Sequence, residues 1–363
     1  DKNFLVTALY DRYKPDINNL EGSEKEEAIK KFKEEKDYEV LDEIPFWSNG
    51  QGFTNKKRNR LYLYNKDENK IKPITDEFTD VEFINLNKNR TMAIIIANSF
   101  KDKAPIKSNL YLYDINKNNL ENITHEDPFA YVYGDFLNDK IIFAGNNMKT
   151  YGINENSHFY TMDLNNKKIE KITDDFDHSI WNSVGSDCRY GGSQSFKVDG
   201  NYLYFVTTEI NSSYINRIDE NGHIEKITTK GGSIDGFDIH NGNILFIGLK
   251  NMKLQELYTL ENGEEKQITS FNEWVIKTKR FSSPERITFE NEDGITLEWW
   301  IMKPVDFDPN KKYPGILDIH GGPKTVYGEV FYHEMQYWAN EGYVVFFTNP
   351  RGSDGRGRAF SDI

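Results

Sequence analysis

The sequence predicts a mainly β protein in which a β-propeller is followed by the start of an α/β layer. Three observations predict it. Five segments close on the same Ile-Thr pair, residues within them alternate between apolar and polar, and the last 80 or so residues change to strand, glycine-rich turn, helix and strand. The first two are typical of repeated antiparallel sheets, and the third is typical of an α/β layer. We expect the propeller over residues 1–282 and the α/β part over residues 283–363.

Composition excludes several classes of function. A chain of 363 residues is long for a single core, so two domains are expected. The net charge of −13 argues against a nucleic-acid surface and against binding to anionic lipid. No apolar run approaches the roughly 18 residues that a membrane helix needs. Cys188 is the single cysteine, which excludes an intramolecular disulfide framework and favours a cytoplasmic location.

The repeat is defined by its closing pairs. Each pair follows an aromatic-rich strand and a polar turn, which predicts a β-hairpin. A turn followed by an apolar strand recurs between the pairs, as in LNDKIIFAG and VDGNYLYFV. Two hairpins per unit predict a four-stranded sheet, and a period of about 40 to 50 residues is typical of propeller blades. The five pairs are Ile74-Thr75, Ile123-Thr124, Ile172-Thr173, Ile227-Thr228 and Ile268-Thr269.

One segment departs from this pattern. Residues Gly22 to Val40 are highly charged, and Ser23 with Glu26 has the spacing of a capping box. The segment predicts a solvated helical insertion in a blade loop, with a docking surface for a partner as the alternative.

The carboxyl-terminal part is predicted element by element. Phe281 to Arg286 carries Ser-Ser-Pro and is a candidate linker between the two domains. Glu292-Asp293-Gly294 predicts a hairpin turn within Ile287 to Pro304. We then expect a buried strand, a helix with Phe331, Met335 and Trp338 on one face, and a second buried strand. These three elements are predicted at Pro314–Ile319, Glu329–Asn340 and Tyr343–Thr348.

The turn His320-Gly321-Gly322-Pro323 directly follows the first of these strands. Glycines allow the backbone to turn with its amides facing outward and no Cβ in the way. Such amides can stabilise the oxyanion that develops when a carbonyl is attacked. We therefore predict Gly322 as an oxyanion donor, Gly321 as its neighbour in the same site, and His320 as the residue that orders the loop by hydrogen bonding. The alternative is a tight structural turn without a catalytic role.

The motifs after this turn carry a family resemblance. HGGP is followed by the predicted helix, then by Asn349-Pro350-Arg351-Gly352-Ser353-Asp354-Gly355-Arg356-Gly357 and Phe360. This resembles the prolyl oligopeptidase family in its acylaminoacyl-peptidase branch, which has NPRGSxGYG, so Arg356 stands where Tyr is usual. The resemblance implies a propeller that covers an α/β-hydrolase domain, of which residues 283–363 would be the N-terminal part. SDCRYGGSQSF, Ser186 to Phe196, resembles another loop of the family.

The resemblance also implies residues outside this sequence. No G-x-S-x-G nucleophile motif occurs in the chain, so the nucleophile, acid and histidine of a Ser-Asp-His triad are expected beyond Ile363. The chain alone is expected to be inactive. Five Ile-Thr pairs correspond to five visible blades. The resemblance implies seven blades and places Phe4 to Thr7 in the third, so about two are expected before Asp1.

Two functions from different classes follow. The first is a serine oligopeptidase that hydrolyses short peptides. The second is a non-catalytic propeller binding module with a degenerate hydrolase appendage. A short peptide substrate is the expected partner, without nucleic acid, membrane, cofactor or metal, and the oligomeric state is left open. Arg351 and Asp354 are predicted to pair and fix their loop, with a substrate-carboxylate contact for Arg351 as the alternative. The histidines of the blades lack paired ligand spacing: His125, His158, His178, His223 and His240.

Overall fold

A computed structural model of the chain describes residues 2–14, 17–124, 129–191 and 195–363. The chain forms two compact units, Asp1–Phe136 and Leu137–Ile363. The division between these units lies inside the repeated segments. The predicted domain boundary at residues 282 and 283, between propeller and α/β part, stays a prediction.

The described residues of the first unit include two larger antiparallel sheets, a two-stranded ribbon and a helical insertion. Its larger sheets run in the order β1-β4-β5 and β6-β7-β8-β9, and β2 pairs with β3 in a short ribbon. A 3₁₀ turn at Ile17–Asn19 and helix α1, Gly22–Glu34, lie between the first two strands. The strands are β1 Asn3–Asp11, β2 Trp47–Ser48, β3 Gly52–Phe53, β4 Lys57–Asn65, β5 Lys70–Pro73, β6 Thr79–Leu86, β7 Met92–Ser99, β8 Asn109–Asp114 and β9 Asn119–Asn122, followed by β10 Ala130–Leu137.

The second unit contains further sheets of the same build and then the α/β part. Strands β14-β15-β16-β17 and β18-β19-β20-β21 form four-stranded antiparallel sheets, and β11-β12-β13 are neighbours in a third. No helix among the described residues is long and apolar enough to cross a membrane. The strands are β11 Lys140–Asn146, β12 His158–Asp163, β13 Ile169–Lys171, β14 Phe196–Asp199, β15 Tyr202–Glu209, β16 Ser212–Ile218, β17 Ile224–Lys226, β18 Gly236–His240, β19 Asn243–Gly248, β20 Glu256–Glu261 and β21 Glu264–Gln267, with a 3₁₀ turn at Gly152–Asn154.

The Ile-Thr pairs share one structural role. Each pair directly follows the last strand of a different sheet, which confirms the prediction of separate sheets. In every pair the Ile amide donates to a carbonyl of the neighbouring strand, and the Thr hydroxyl accepts the amide of that same residue. Thr173 Oγ1, for example, accepts Phe159 N at 2.9 Å, while Ile172 N donates to Phe159 O at 3.0 Å. The Thr side chain thus continues the ladder after the strand ends. The hydroxyls of the other four threonines accept the backbone amides of Leu61, Leu110, Ile215 and Leu257.

The recurring apolar strands supply the core of the sheets. Strands β7, β11 and β15 each carry an unbroken run of buried residues. These runs include Ile94, Phe143 and Phe205, all at most 1% exposed. Central strands buried on both faces lose the alternation of polar and apolar residues, as expected for sheets packed face to face. The fold is therefore mainly β, and its sheets have the build of propeller blades.

Helix α1 is shorter than predicted and is capped differently. It spans Gly22–Glu34, and none of its residues is buried. The prediction of a capping box at Ser23 and Glu26 is wrong: the N-cap position is Glu21, which makes no side-chain cap bond, so Ser23 lies inside the first turn. The prediction of a solvated helix is confirmed for the residues of α1.

The α/β part builds one four-stranded sheet in the order β22-β23-β25-β24, in which only β24 and β25 are parallel. The predicted hairpin is confirmed, because β22 and β23 are antiparallel neighbours joined at Gly294. The predicted buried strand Pro314–Ile319 is wrong in part. Strand β24 lies at the sheet edge, and Leu317 and Ile319 are 57% and 68% exposed. The elements are α2 Glu273–Thr278, β22 Pro284–Glu290, β23 Thr296–Met302, β24 Gly315–Asp318, α3 His333–Asn340, β25 Val344–Asn349 and α4 Arg358–Ser361.

Helix α3 begins four residues later than predicted. The Asp187 carboxylate accepts the backbone amides of His333 at 2.7 Å and Glu334 at 2.8 Å. An acceptor at this place satisfies amides that have no partner inside the helix and fixes its first turn. Val330 lies upstream, in an apolar cluster with Val184 and other residues of the second unit. The helix start is therefore set by a residue 146 positions away.

Candidate functional site

The turn predicted as an oxyanion loop lies after β24 and before α3. Its residues Gly321, Gly322 and Pro323 are exposed. Gly322 has a backbone φ of +128°, a conformation that residues other than glycine rarely adopt. Within the described part of the chain, neither the Gly321 amide nor the Gly322 amide donates a hydrogen bond. The two amides are thus available to an external acceptor.

His320 is held at both ring nitrogens. Its Nδ1 lies 3.1 Å from Gly321 O, and its Nε2 lies 3.0 Å from Ser353 Oγ. Because a carbonyl only accepts, Nδ1 carries the proton, and in the neutral ring Nε2 accepts the proton of the Ser353 hydroxyl. The ring also meets Tyr327 edge to face at 5.1 Å. These contacts agree with the loop-ordering role predicted for His320, which stays a prediction.

Ser353 and His320 are hydrogen-bonded in the way that a nucleophilic serine and its histidine base are, although Ser353 does not lie in a G-x-S-x-G motif. Two observations argue against catalysis by this serine. Ser353 is 1% exposed, so a substrate carbonyl cannot approach its hydroxyl. The far nitrogen of His320 is bonded to a carbonyl rather than to a carboxylate that would stabilise an imidazolium. The pair joins two turns.

Asp354 is the buried centre of the second turn. Its carboxylate accepts hydrogen bonds from Ser179 Oγ at 2.7 Å and from the hydroxyl of Ser183. The predicted pair of Arg351 with Asp354 is wrong, because these serines occupy the carboxylate and Arg351 is exposed, with its guanidinium 3.4 Å from Asp362 O. The turn is therefore fixed by residues that precede it by more than 170 positions.

Both serines belong to a segment that we call the connector, residues 177–191, between β13 and β14. The connector bonds the first turn as well: Val326 N donates to Ser183 O at 3.0 Å, and Thr325 Oγ1 donates to the same carbonyl at 2.6 Å. Gly185 N donates in turn to Val326 O at 2.7 Å. The two glycine-rich turns thus share one support. Gly192, Ser193 and Gln194 of the SDCRYGGSQSF motif lie outside the described residues.

Two glycines allow the close approach of the turns to a blade of the propeller. A Cβ at Gly355 would lie 2.4 Å from Ile210 O, and one at Gly328 would lie 2.3 Å from Asn211 O. No side chain fits at these distances. Arg356 forms an ion pair with Glu298 at 3.2 Å. The Arg that replaces the usual Tyr of the motif therefore anchors the turn to β23.

A cavity of about 490 Å³ lies beside the first turn. The turn contributes His320 and Gly321, and the connector contributes Arg189, whose Nε donates to the buried Asp235 at 2.7 Å. Tyr327 also lines the cavity, and burial, assisted by Asp318, raises the pKa of its hydroxyl. A group held in this cavity would lie next to the exposed amides.

The histidines considered as metal ligands are dispersed. His158 is buried, with Nδ1 2.8 Å from Thr173 O and Nε2 3.1 Å from the guanidinium of Arg358. Arg only donates, so Nε2 accepts and Nδ1 carries the proton. Among the described residues, no group of three or more His, Cys, Asp or Glu side chains could hold a metal ion. His125 lies outside the described residues.

The fold and the two turns define an α/β-hydrolase type of arrangement attached to a propeller. Comparison with known proteins shows what this arrangement is similar to. Residues 329–363 match the model of the prolyl oligopeptidase family. This match covers 35 of the 363 residues, and over that segment the chain is similar to the prolyl oligopeptidase family.

The sequence relatives are peptidases. The chain is 31% identical over 220 residues to the uncharacterized peptidase YuxL of Bacillus subtilis, a match that covers 59% of the chain and 34% of that relative. It is 33% identical over 140 residues to dipeptidyl-peptidase 5 of Aspergillus fumigatus, covering 37% of the chain and 19% of the relative. The matches therefore span about a third or less of these relatives.

The solved structures share the fold over nearly the whole chain. An acylaminoacyl peptidase in complex with Z-Gly-Gly-Phe-chloromethyl ketone has a TM-score of 0.75 at 22% identity. The acylaminoacyl peptidase of Pyrococcus horikoshii has a TM-score of 0.74 at 21% identity. Each match covers 99% of this chain and 51% of the other. The chain thus spans about half the length of these enzymes.

Proposed function

We propose that this chain provides the propeller and the oxyanion loop of a cytoplasmic serine oligopeptidase that hydrolyses short peptides. The nucleophile, acid and base are then residues that follow Ile363 in a longer polypeptide. The observation that carries the proposal is the pair of exposed, unbonded amides at Gly321 and Gly322. The greater length of the family members supports it.

The chemistry follows from the geometry of this loop. When a serine attacks a peptide carbonyl, negative charge develops on the oxygen, and preorganised amides stabilise that charge more than they stabilise the substrate. The anchored residues on both sides of Gly321 and Gly322 hold the amides in place before the reaction. The propeller would restrict access, so that short peptides enter and folded proteins do not.

Activity-based labelling tests this function. The longer polypeptide encoded by the same gene should be labelled stoichiometrically by a fluorophosphonate probe and should cleave short acyl-peptides. The 363-residue chain should remain unlabelled, because Ser353 is buried and no G-x-S-x-G motif is present. Labelling of the short chain would contradict the assignment, and a longer polypeptide without labelling would favour the binding module.

Two glycine variants test the oxyanion role. Gly322→Val keeps the backbone amide but places a side chain where the carbonyl oxygen must sit. In the active polypeptide it should therefore lower kcat by about 10²- to 10³-fold, the size of loss usual for one oxyanion donor. A Cβ there would lie 3.1 Å from Lys324 N, so the melting temperature must be measured on the same variant. Gly321→Ala separates the effects, because its Cβ meets no atom within 4 Å. Loss of kcat in Gly321→Ala without loss of stability supports the oxyanion site. Full activity of both variants would remove the loop from the catalytic residues.

A further inference from the structure

Lys324 follows the candidate oxyanion loop directly and is bonded to the propeller. Its Nζ donates to Asn156 Oδ1 at 2.6 Å and to Asn154 O at 3.1 Å. The ammonium also lies 5.8 Å from the centre of the Trp181 ring. An ammonium has three N–H donors, so two hydrogen bonds and a ring face account for all of its capacity. The side chain therefore has one defined place.

The burial of this ammonium needs a reason. Burial lowers the pKa of Lys324, while Asp354 and Asp177 act in the opposite direction and favour the charged form. A lysine in a surface turn usually keeps its charge in water at little cost. Here the half-buried charge is bonded to a loop of another part of the fold, which indicates that its position matters.

Asn156 is a rigid partner. It is 1% exposed, and its Nδ2 donates to Asp177 Oδ1 at 2.8 Å. A carboxylate only accepts, so the amide of Asn156 has one orientation, with its oxygen turned to the ammonium. Asp177 also accepts the backbone amide of Arg358 at 3.1 Å. Lys324 is thus bonded to an amide that its surroundings already fix.

The loop is held on both sides of its free amides. Upstream, His320 is bonded to Ser353. Downstream, Lys324 is bonded to Asn156, and Val326 is bonded to Ser183. Only three residues, 321 to 323, lie between the anchored positions. A short segment fixed at both ends has few conformations, so the direction of its amides depends on its anchors.

We propose that Lys324 is a positioning residue: its bond to Asn156 sets the direction of the Gly321 and Gly322 amides, so that the contact with the propeller controls the oxyanion site. The proposal rests on the function proposed above for this loop. It gives the propeller a second task besides restricting access, because a blade loop then takes part in aligning the reacting groups.

Hydrogen exchange on the 363-residue chain tests the anchor without any need for activity. In Lys324→Met the bonded amides of Thr325 and Val326 should exchange about tenfold faster, because the loop loses a charged hydrogen bond. Lys312→Met, at an exposed lysine of the same part of the chain, is the matched control and should leave exchange unchanged. Asn156→Leu should act on the same amides, and the double variant should add nothing beyond either single change.

Kinetics on the longer polypeptide test the consequence. Lys324→Met should lower kcat about 10- to 100-fold with KM nearly unchanged, because misaligned amides weaken transition-state stabilisation more than substrate binding. If Lys324→Met does not fold, Lys324→Gln is measured in its place. This variant keeps a hydrogen-bond donor on a shorter side chain. If the wild-type polypeptide is not labelled by the probe and does not cleave peptides, the proposed function fails. The hydrogen-exchange result then decides alone whether Lys324 anchors the loop. Equal exchange in Lys324→Met and Lys312→Met overturns the proposal, and so does a change confined to KM.

Discussion

The helical insertion of the first unit, residues 20–47, and the two glycine-rich turns of the second unit, residues 320–326 and 350–357, both depart from the repeated strands. Helix α1 has a regular hydrogen-bonded backbone but buries none of its residues. The turns contain little regular structure, yet Ser353 and Asp354 are at most 2% exposed. The comparison teaches that regular backbone does not fix the place of a segment. Buried polar contacts with residues distant in sequence do.

The strongest such contact of the insertion lies at its base. Glu43 forms a two-point ion pair with Arg58 at 2.8 and 2.7 Å, and both side chains are 1% exposed. The other Arg58 donors bind carbonyl oxygens, those of Lys57, Phe78 and Phe100. Every guanidinium N–H therefore has an acceptor. A buried charge in this state contributes to position, because any displacement would leave donors unpaired.

The largest expected effect is therefore at Glu43. Glu43→Ala leaves the Arg58 guanidinium buried without its counter-charge, which should lower the free energy of unfolding by about 3–5 kcal/mol. Urea unfolding of the chain measures it. Glu39→Ala, at an exposed carboxylate of the same insertion, is the control and should have little effect. Equal losses in the two variants would show that the base contact does not hold the insertion.

The next effect is at the centre of the second turn. Asp354→Asn replaces an acceptor of two serine hydroxyls by an amide that presents its own donors, so we expect a loss of about 2–3 kcal/mol. The same unfolding experiment applies, with Asp139→Asn at an exposed position as control. A neutral result at Asp354 would mean that the connector is not what fixes the turn.

A third effect depends on pH. Burial lowers the pKa of His158 below its ordinary value of 6.5. The unfolded chain therefore takes up this proton first as the pH falls, so the stability contributed by neutral His158 is present above pH 6.5 and is lost below it. Protonation also removes the acceptor of Arg358. Between about pH 8 and about pH 5 the melting temperature of the wild type should fall further than that of His158→Gln. Parallel curves would contradict this sign.

The smallest effect is expected in α1. Phe32 is 45% exposed, so Phe32→Ala should change the free energy of unfolding by about 0.5 kcal/mol or less. Phe159, which is fully buried in β12, provides the contrast, and Phe159→Ala should cost about 3–5 kcal/mol. A large loss in Phe32→Ala would show that the helix packs more tightly than its exposure indicates.

The same difference explains what the sequence could predict. The Ile-Thr endings and apolar strands were predicted because a hairpin is encoded by neighbouring residues. The start of α3 was placed wrongly, and so were the N-cap and the end of α1. In α3 the acceptor is Asp187, far away in the chain, and in α1 the expected Ser23 cap lies inside the first turn. Local patterns predict the kind of element well and its ends poorly.

The candidate site divides in the same way. Gly321 and Gly322 were predicted from the HGGP motif, which specifies their backbone chemistry. The pair of Arg351 and Asp354 was inferred from closeness in sequence and was wrong, because Ser179 and Ser183 reach the carboxylate across the fold. Nothing in the sequence predicted the contact of Lys324 with Asn156. The sole sequence hint of the connector was the motif beginning at Ser186, whose Asp187 caps α3.

The five threonines allow one kind of hydrogen bond to be compared at five places in the same chain. The same hydroxyl-to-amide bond occurs five times, with lengths between 2.8 and 3.1 Å. Its surroundings differ, from Thr228, which is fully buried, to Thr124, which is half-buried. Five Thr→Val substitutions would remove one kind of bond while the type of element stays constant. The spread of the five results would measure how much environment alone changes the worth of a single hydrogen bond.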